Sequence, residues 1–554
     1  MTSSLRLRAF SLFSVSLVLC SPAVLSAQVS GSGQDAIPGG GFRVAGIVVN
    51  KTGGHRLAGA RVVLADAKNR QSTRSIVTSD DGRFMFQVRA GKFSLEAAKR
   101  GFITAFYNQH DQFSTAIVTG AGLDTENLVL QLAPNAVLGG KVLDESGEPV
   151  RHATVTVYRE DRQSGVGLIQ TFREASTDDQ GTYEVTPLND GTYFVSANAK
   201  PWYAVHPNSG QAGEGAVPSA VEQSLDVAYP ITYYGDATEA DDALPIPIRG
   251  GDRVEADIHL SPVPALHLLV HLADNGTHGF NMPVFQKSVF DGVANVDAGR
   301  SHMVGQGVFE ITGIPAGTYT VRVYGSPGQM KEPSEIDLTT NAQELDMSSA
   351  NPTSTVKAAV QVVGEATLPS SLTVALRNSK GRVMAWGNVD AHGEVTFQNV
   401  IAGQYTLRAG SPTKPYSVKI ESADSGTSGR TLNVPPGSSV EVTLSLVGGE
   451  VMVEGIAKQS GKPVSGAMIV LVPKNPESNR ELFRRDQSDQ DGTFSLPGVI
   501  PGSYTVIAIE NGWDLDWGKP AVLAQYIKHG QTITVGSQGK GSTQLPDPVE
   551  VQPK

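Results

Sequence analysis

Residue types that carry enzyme chemistry are present in this 554-residue chain, but their spacing matches no familiar catalytic arrangement. The sequence has no H-E-x-x-H zinc motif, no G-x-S-x-G nucleophile motif and no G-x-x-x-x-G-K-[ST] phosphate loop. Lys540 comes near the last of these, but Gly541 follows it where Ser or Thr is required. The sequence therefore predicts no catalytic residue, no cofactor and a protein that is not an enzyme.

Two further patterns are of the kind that can bind metal ions. His267 and His271 share one face of an alternating segment, but no third ligand is evident nearby, so we favour a structural or exposed pair. Acidic residues precede glycine at 80–82, 178–181 and 489–492. These runs stop at the glycine and lack the bidentate glutamate of a full calcium loop, whereas Asp beside Gly is ordinary turn chemistry. We predict turns and no metal site.

The remaining candidates for binding are four aromatic residues, Trp202, Tyr203, Trp513 and Trp517. Sugar rings stack on flat aromatic faces, so these side chains would bind carbohydrate if loops expose them. The competing interpretation is that they cap the open end of a folded module or pack between modules. Because aromatic residues make up only 6% of the chain and must also fill five cores, we favour the packing interpretation and keep carbohydrate binding as the alternative.

A block of two predicted strands, in which apolar and polar residues alternate, recurs five times along the chain. This repeated block must position the candidate residues. In its last copy Gly492-Thr-Phe494-Ser-Leu496 leads to Gly502-Ser-Tyr504-Thr-Val506. Ten residues separate the two glycines in four copies and nine in the first. The second glycine is predicted to adopt the positive φ of a tight turn, and alternation places the aromatic residue two positions later in the core. These aromatic residues are Phe93, Tyr193, Tyr319, Tyr405 and Tyr504.

A second pattern of short strands and turns precedes three of the blocks, as in Gly140-Lys-Val142, Gly147-Glu-Pro149-Val150 and Ala153-Thr-Val155-Thr-Val157. No amphipathic helix of useful length follows the N-terminal segment. The prediction is an all-β protein, a tandem array of about five immunoglobulin/prealbumin-like β-sandwich modules after a signal peptide. The predicted boundaries are a signal peptide at 1–27, a linker at 28–41, module 1 at 42–134, module 2 with an extension at 135–262, divergent modules 3 and 4 at 263–351 and 352–447, module 5 at 448–537, and a C-terminal tail at 538–554.

The combined pattern of G-x-V, G-x-P-V-x-x-A-x-V-x-V, D-x-x-G-x-F and G-x-Y-x-V resembles the carboxypeptidase regulatory-like domain. The match is good in modules 1, 2 and 5 and partial in modules 3 and 4. The resemblance implies a seven-stranded prealbumin-like sandwich of a wider carbohydrate-binding-like fold group, and strings of such domains resemble envelope proteins of soil bacteria. It implies no peptidase activity, since zinc carboxypeptidases need an H-x-x-E pair and none of the 11 histidines has Glu three residues on.

Charge and the N-terminal segment predict an exported protein. A net charge of -11 argues against nucleic acid as a partner. Arg6 and Arg8 precede an apolar stretch at 9–19, which is shorter than the ~20 residues that span a bilayer, and small residues at 26 and 27 offer a cleavage site. The mature chain then has no transmembrane segment and loses Cys20, its only cysteine; a lipoprotein that keeps Cys20 is the alternative. We expect a periplasmic, cell-surface or extracellular location.

The function predicted from these features is a non-enzymatic secreted or envelope scaffold for binding or adhesion, with carbohydrate or another envelope protein as its partner. A passive structural spacer that holds a partner in the envelope is a second hypothesis. An enzyme with an unrecognised site is a third. Fold class alone does not choose among them.

Overall fold

A computed structural model describes residues 40–554, apart from 121, 208–222, 273–282, 297, 306, 324–332, 348–353, 364–367, 370, 379–382, 412–413, 424–430, 450, 478 and 537–540. The signal peptide predicted at 1–27, and all but the end of the linker predicted at 28–41, lie outside the described residues. The regular secondary structure of the described chain is nearly all strand, which confirms the predicted all-β class.

Modules 1 and 2 contain nineteen of the described strands. Those of module 1 are Phe42–Asn50 (β1), Arg61–Asp66 (β2), Thr73–Val77 (β3), Arg83–Val88 (β4), Gly91–Ala98 (β5), Ala105–Phe106 (β6), Ile117–Thr119 (β7) and Leu128–Leu132 (β8). Those of module 2, with the junction to module 3, are Ala136–Leu143 (β9), Thr154–Asp161 (β10), Leu168–Ser176 (β11), Thr182–Leu188 (β12), Gly191–Asn198 (β13), Val227–Ala228 (β14), Thr232–Tyr233 (β15), Ile246–Ile248 (β16), Arg253–Glu255 (β17), Ile258–His259 (β18) and Val263–Pro264 (β19).

The other three modules follow in chain order. Module 3 has Leu266–Leu272 (β20), Pro283–Val289 (β21), Gly292–Val296 (β22), Arg300–Gly305 (β23), Val308–Ile314 (β24), Gly317–Val323 (β25), Ser334–Leu338 (β26) and Gln343–Met347 (β27). Module 4 has Ser354–Val362 (β28), Thr373–Arg377 (β29), Val383–Asn388 (β30), Glu394–Val400 (β31), Gly403–Ser411 (β32), Lys414–Ala423 (β33), Thr431–Val434 (β34) and Ser439–Gly448 (β35). Module 5 begins with Val451–Gln459 (β36), Lys462–Pro463 (β37), Met468–Pro473 (β38), Arg484–Gln487 (β39), Thr493–Val499 (β40), Gly502–Ile509 (β41) and Gln531–Val535 (β42).

Each module is built from two sheets around its own apolar core. In module 1 one sheet has the order β4-β1-β8 and the other β3-β2-β5, and module 2 repeats this with β12-β9-β17 and β11-β10-β13. The last strand of the first sheet runs parallel to the first strand in both modules. Modules 4 and 5 use the same plan, but β33 and the final strand of the chain join their two sheets into one.

The glycine in the first strand of each of modules 1, 2 and 5, which is Gly46, Gly140 or Gly455, is required by the packing of the sheet. Each such glycine lies opposite an aromatic residue of the neighbouring strand, as Gly140 lies opposite Tyr183 and Gly455 opposite Phe494. A Cβ at position 140 would lie 2.4 Å from the Ala256 carbonyl oxygen, and one at 455 would lie 2.6 Å from the Phe494 ring. Only a residue without a side chain fits there, and the sheet fills the space with the aromatic ring.

The two glycines of the repeated block have different roles from those that the sequence predicted. The left-handed φ lies at the first glycine, with values of 69° at Gly181 and 78° at Gly492. The second glycine is nearly extended in modules 2, 3 and 4, with φ values of 159° at Gly191, 155° at Gly317 and 158° at Gly403. Its function is spatial, because a Cβ at Gly502 would lie 3.3 Å from the Tyr504 ring, which lies back over it. The two strands of the block do meet at a short turn, as predicted, but the glycine with the left-handed φ lies before the first strand of the block and not at that turn.

The region predicted as a C-terminal tail is part of module 5. Gly541–Gln544 (β43) pairs with β36, and Val549–Gln552 (β44) pairs with both β36 and β41. The prediction of a tail was wrong because each strand is only four residues long and a proline-containing turn separates the two. One short helix, Pro520–Ile527 (α1), was also missed, and it buries Leu523 and Tyr526 against β41.

Candidate functional site

Trp202 is the most exposed large apolar side chain of the described residues, with 87% of its surface accessible. It follows β13, the last strand of the block, after the buried Pro201. Tyr203 packs edge-on against its ring, with centroids 5.7 Å apart and an interplanar angle of 87°. Tryptophan is normally well buried in folded proteins, so an indole that is largely exposed and in contact with an anchored neighbouring ring is suited to stacking with a ligand.

The carboxylate of Glu145, in a neighbouring turn, holds Tyr203 in place beside Trp202. The hydroxyl groups of Tyr203 and Tyr229 both donate to the carboxylate of Glu145, the latter at 2.7 Å. Burial, the hydrogen bond to Glu145 and its negative charge raise the pKa of Tyr203 to about 12, so it remains a donor at neutral pH. The sequence did not single out Glu145, because it lies in a turn 57 positions before Trp202. We define Trp202, Tyr203, Glu145 and Tyr229 as the Trp202 platform.

Trp513 and Trp517 are covered in the folded chain. Trp517 is 5% exposed and packs in a second core of module 5 with Met468 and Leu523. Trp513 donates its ring N–H to the Gly466 carbonyl at 3.3 Å. Its ring stacks on His110 of module 1, with centroids 4.9 Å apart and planes inclined by 4°. Both side chains therefore occupy the packing positions that were the competing interpretation, and ligand binding by them stays a prediction.

The stacking of Trp513 on His110 belongs to a broad contact between module 1 and module 5. The Asp489 carboxylate accepts the Ala116 backbone N–H at 2.9 Å and a charged hydrogen bond from Lys92 at 2.8 Å. The backbone N–H of Gln490 donates to the Ala116 carbonyl at 3.1 Å. The Asp-Gly turn of module 5 is thus an intramolecular recognition element, which local sequence pattern cannot show.

Arg485 lies at the centre of the same contact. Its guanidinium is 5.3 Å from the Phe113 ring centroid of module 1 and 4.7 Å from that of Trp517. Burial lowers the pKa of Arg485, while Asp111, 3.6 Å away, favours the charged form. Cation–π contacts of this kind strengthen when water is excluded. Module 5 therefore binds module 1 through an aromatic and cationic centre.

Module 2 touches both of these modules. Lys51 of module 1 pairs with Asp190 at 3.1 Å. The Asp516 carboxylate of module 5 accepts the Gly167 backbone N–H at 2.8 Å, and the Gly518 N–H donates to the Gly165 carbonyl at 2.7 Å. Modules 1, 2 and 5 are thus mutual neighbours, and the chain of modules 3 and 4 leaves module 2 and returns to module 5.

The acidic turns and the histidine pair have structural roles in the described chain. Asp178 accepts the backbone N–H groups of Gln180 and Thr182 at 2.9 and 2.8 Å, which is the Asx-type bonding of a turn. His267 bonds to two carboxylates, whereas His271 lies 3.4 Å from Glu344. No cluster of three or more His, Cys, Asp or Glu side chains within the described ranges is arranged to hold a metal ion.

This architecture defines a class of protein, a tandem array of β-sandwich modules. Residues 43–124 and 137–217 match the family model of the carboxypeptidase regulatory-like domain. The chain therefore contains two tandem copies of that domain, which confirms the family predicted from the sequence motifs of modules 1 and 2. No curated protein matches the chain in a sequence comparison.

Solved structures give only distant likenesses. The chain is similar to the Bacillus anthracis TIE protein, at 13% identity over 73% of this chain and 74% of that chain, with a TM-score of 0.18. It is also similar to GBS52, the minor pilin of Streptococcus agalactiae, at 14% identity over 40% and 97% with a TM-score of 0.20. A single-residue variant of BcpA, the major pilin subunit of Bacillus cereus, matches at 11% identity over 73% and 99% with a TM-score of 0.15. Likenesses at these TM-scores support no functional argument. Among the described residues, no helix has the length and apolar character to cross a membrane.

Proposed function

We propose that this protein is a non-enzymatic, exported scaffold that binds carbohydrate through the Trp202 platform. The observation that carries the proposal is the 87% exposure of Trp202 beside an anchored Tyr203. A rigid aromatic surface binds with little loss of side-chain entropy. The Glu145 carboxylate, which is exposed beside it, adds acceptors for sugar hydroxyl groups.

The spacer hypothesis fits the module arrangement less well. A spacer separates two points best when its modules form an extended string. Here module 5 returns to module 1 through Asp489, Arg485 and Trp513, which shortens the reach of the chain. This closed arrangement favours a compact binding body, to which either a glycan or another envelope protein attaches.

The test is a glycan array with the exported protein, followed by titration of any bound glycan against Trp202→Ala. Trp386→Ala is the matched control, because Trp386 is also exposed, at 68%, but lies in module 4. We expect Trp202→Ala to lose at least about tenfold in affinity, which corresponds to about 1.4 kcal/mol, and Trp386→Ala to bind as the unaltered protein does. Absence of binding to every glycan, or unchanged binding by Trp202→Ala, would contradict the proposal.

A further inference from the structure

Five titratable side chains form a continuous chain across the junction of modules 2 and 3. His206 Nδ1 lies 2.8 Å from one oxygen of Asp226, and His267 Nε2 lies 2.8 Å from the other. His267 Nδ1 lies 3.0 Å from Glu310 Oε1, and His302 Nε2 lies 2.9 Å from Glu310 Oε2. We call His206, Asp226, His267, Glu310 and His302 the histidine–carboxylate chain. It joins the extension of module 2 to β20, β23 and β24 of module 3.

The protonation state of His267 follows from this geometry. A neutral imidazole has one N–H and one lone pair. Both ring nitrogens of His267 face carboxylate oxygens, so a neutral ring would direct its lone pair at one of them. The doubly protonated ring satisfies both contacts, and it also compensates Glu310, whose side chain is only 5% exposed. An unpaired carboxylate at this depth is costly.

Lys200 of module 2 lies at the same junction, where its ammonium group donates to the Ala298 carbonyl oxygen at 2.8 Å. The other charged or titratable groups on the strands packed against the histidine–carboxylate chain are His271 on β20, Arg300 on β23, and Glu344 and Asp346 on β27. His271 lies 3.4 Å from Glu344. Arg300 is exposed. His267 is the group that contacts both carboxylates, Asp226 at 2.8 Å and Glu310 at 3.0 Å.

The His206 end docks into a seat made by two glycines of module 3. A Cβ at Gly299 would lie 2.4 Å from His206 Cδ2, and a Cβ at Gly313 would lie 2.6 Å from His206 Nε2. A separate apolar contact joins the modules elsewhere, where Phe290 packs on Tyr158 and Phe194. The same region carries a Lys287–Glu239 ion pair at 2.8 Å and a hydrogen bond from the Ile169 N–H to Asp291 at 2.7 Å. The junction thus has one half built on the histidine–carboxylate chain and one half that does not involve its histidines.

We propose that the histidine–carboxylate chain is a pH-sensitive clasp, which holds module 3 against module 2 while His267 is doubly protonated and releases it as the pH rises. Loss of the proton leaves Asp226 and Glu310 facing a ring with one donor, and their repulsion opens this half of the junction. The apolar contact around Phe290 then serves as the hinge.

The direction of the pH response follows from the pKa shifts. Burial opposes the charged form of His267, but its hydrogen bonds with Asp226 and Glu310 prevail and raise its pKa. A raised histidine pKa gives stability that is fully present below about 6.5, the unfolded value, and is lost as the pH rises through the folded value. Burial of Asp226 is outweighed by His206 and His267, which lower its pKa, so that contribution is lost only in acid.

Distance measurement between spin labels tests the clasp. In a Cys20→Ser background, labels are placed at two exposed positions, Gln180→Cys in module 2 and Thr340→Cys in module 3. We expect one distance distribution at pH 6 and a shift toward longer or broader distances as the pH rises above about 6.5. An unchanged distribution from pH 6 to 9 would overturn the proposal.

Two variants assign the response to His267. His267→Gln, which cannot titrate, is expected to give the same distribution at every pH, whereas His392→Gln, an exposed control in module 4, keeps the response of the unaltered protein. Asp226→Asn removes one counter-charge and is expected to move the transition to lower pH. If His267→Gln fails to fold, Asp226→Asn still tests whether the response depends on the histidine–carboxylate chain. The assignment would be refuted if His267→Gln still changed its distance distribution with pH as the unaltered protein does. It would also be refuted if Asp226→Asn changed its distribution at the same pH as the unaltered protein.

Discussion

The hydroxyl group of Tyr504 donates a hydrogen bond to the carbonyl oxygen of Ile500, four residues earlier, at 2.6 Å. The same bond recurs in other modules from Tyr193 to Asn189, from Tyr319 to Pro315 and from Tyr405 to Ile401. It pins the turn between the two strands of the block to the ring that fills the core, in the manner of the tyrosine corner of immunoglobulin-like sandwiches. The extended glycine before each tyrosine provides the room for the ring.

Two substitutions at Tyr504 separate the ring from its hydroxyl group. Tyr504→Ala should cost roughly 3–5 kcal/mol, from lost transfer energy and a cavity. Tyr504→Phe keeps the ring and should cost about 1 kcal/mol. Calorimetry of both variants measures the difference, with module 1 as the natural reference, because Phe93 stands at this position there and is 2% exposed. A harmless Tyr504→Ala would mean that the ring does not support the core.

The contact between modules 1 and 5 changes the expected unfolding pattern. Independent modules would leave module 1 unmoved when Tyr504→Ala unfolds module 5. Because Lys92 and Ala116 bond to Asp489, we expect the unfolding transition of module 1 to fall together with that of module 5. Hydrogen exchange of β7 and β5 follows module 1 directly. Unchanged exchange there in Tyr504→Ala would show that the interface contributes nothing.

The sequence predicted the parts of the fold that depend on local periodicity. Alternation placed Phe93, Tyr193 and Tyr504 in the cores, and the structure confirms this, with exposures of 2%, 0% and 3%. The partners of Asp489 and Trp513 lie more than 370 residues earlier in module 1, and no strand periodicity encodes which faces of two modules meet. The histidine–carboxylate chain was hidden for the same reason, since its residues come from five separate segments.

Trp517 and Trp202 should differ sharply in their contribution to stability. The sequence placed Trp517 in a loop and so predicted a mild effect of its truncation, but its 5% exposure in the structure predicts that Trp517→Ala costs about 3–5 kcal/mol. Trp202→Ala should change stability by less than about 0.5 kcal/mol, because the ring is exposed. Denaturant unfolding measures both. Equal effects would contradict the burial of one ring and the exposure of the other.

Gly455 should tolerate no side chain, because Phe494 and Leu545 close over it. A Cβ there would lie 2.6 Å from the Phe494 ring and 2.8 Å from Leu545. Gly455→Ala should therefore cost about 1–3 kcal/mol through overpacking. Gly536→Ala is the control in the same module, since no atom lies within 4 Å of the added carbon. Thermal unfolding compares the two, and a Gly455→Ala variant as stable as the control would refute the close cross-strand pair.

Asp486 should make module 5 less stable as the pH rises from about 4 to 6. Burial, with a further contribution from the charge of Asp489, raises the pKa of Asp486 to about 6, although its carboxylate accepts the Ser495 N–H at 2.7 Å. The folded state thus holds this proton more tightly than the unfolded chain. The resulting stability is full below the unfolded pKa near 3.8 and is lost as the pH rises through about 6.

Asp486→Asn removes this titration and keeps an oxygen that accepts the Ser495 N–H. We expect the variant to equal the unaltered protein near pH 3.5 and to exceed it by about 1–3 kcal/mol at pH 7.5. Asp547→Asn, at an exposed position of the same module, should leave the pH profile unchanged. Chemical unfolding at several pH values, followed by tryptophan fluorescence, measures these profiles, since Trp513 and Trp517 both lie in module 5. If the stability of Asp486→Asn and of the unaltered protein changed with pH in the same way, the prediction would be wrong. Ionisation of Asp486 would then cost no folding stability, and its burial would not raise its pKa.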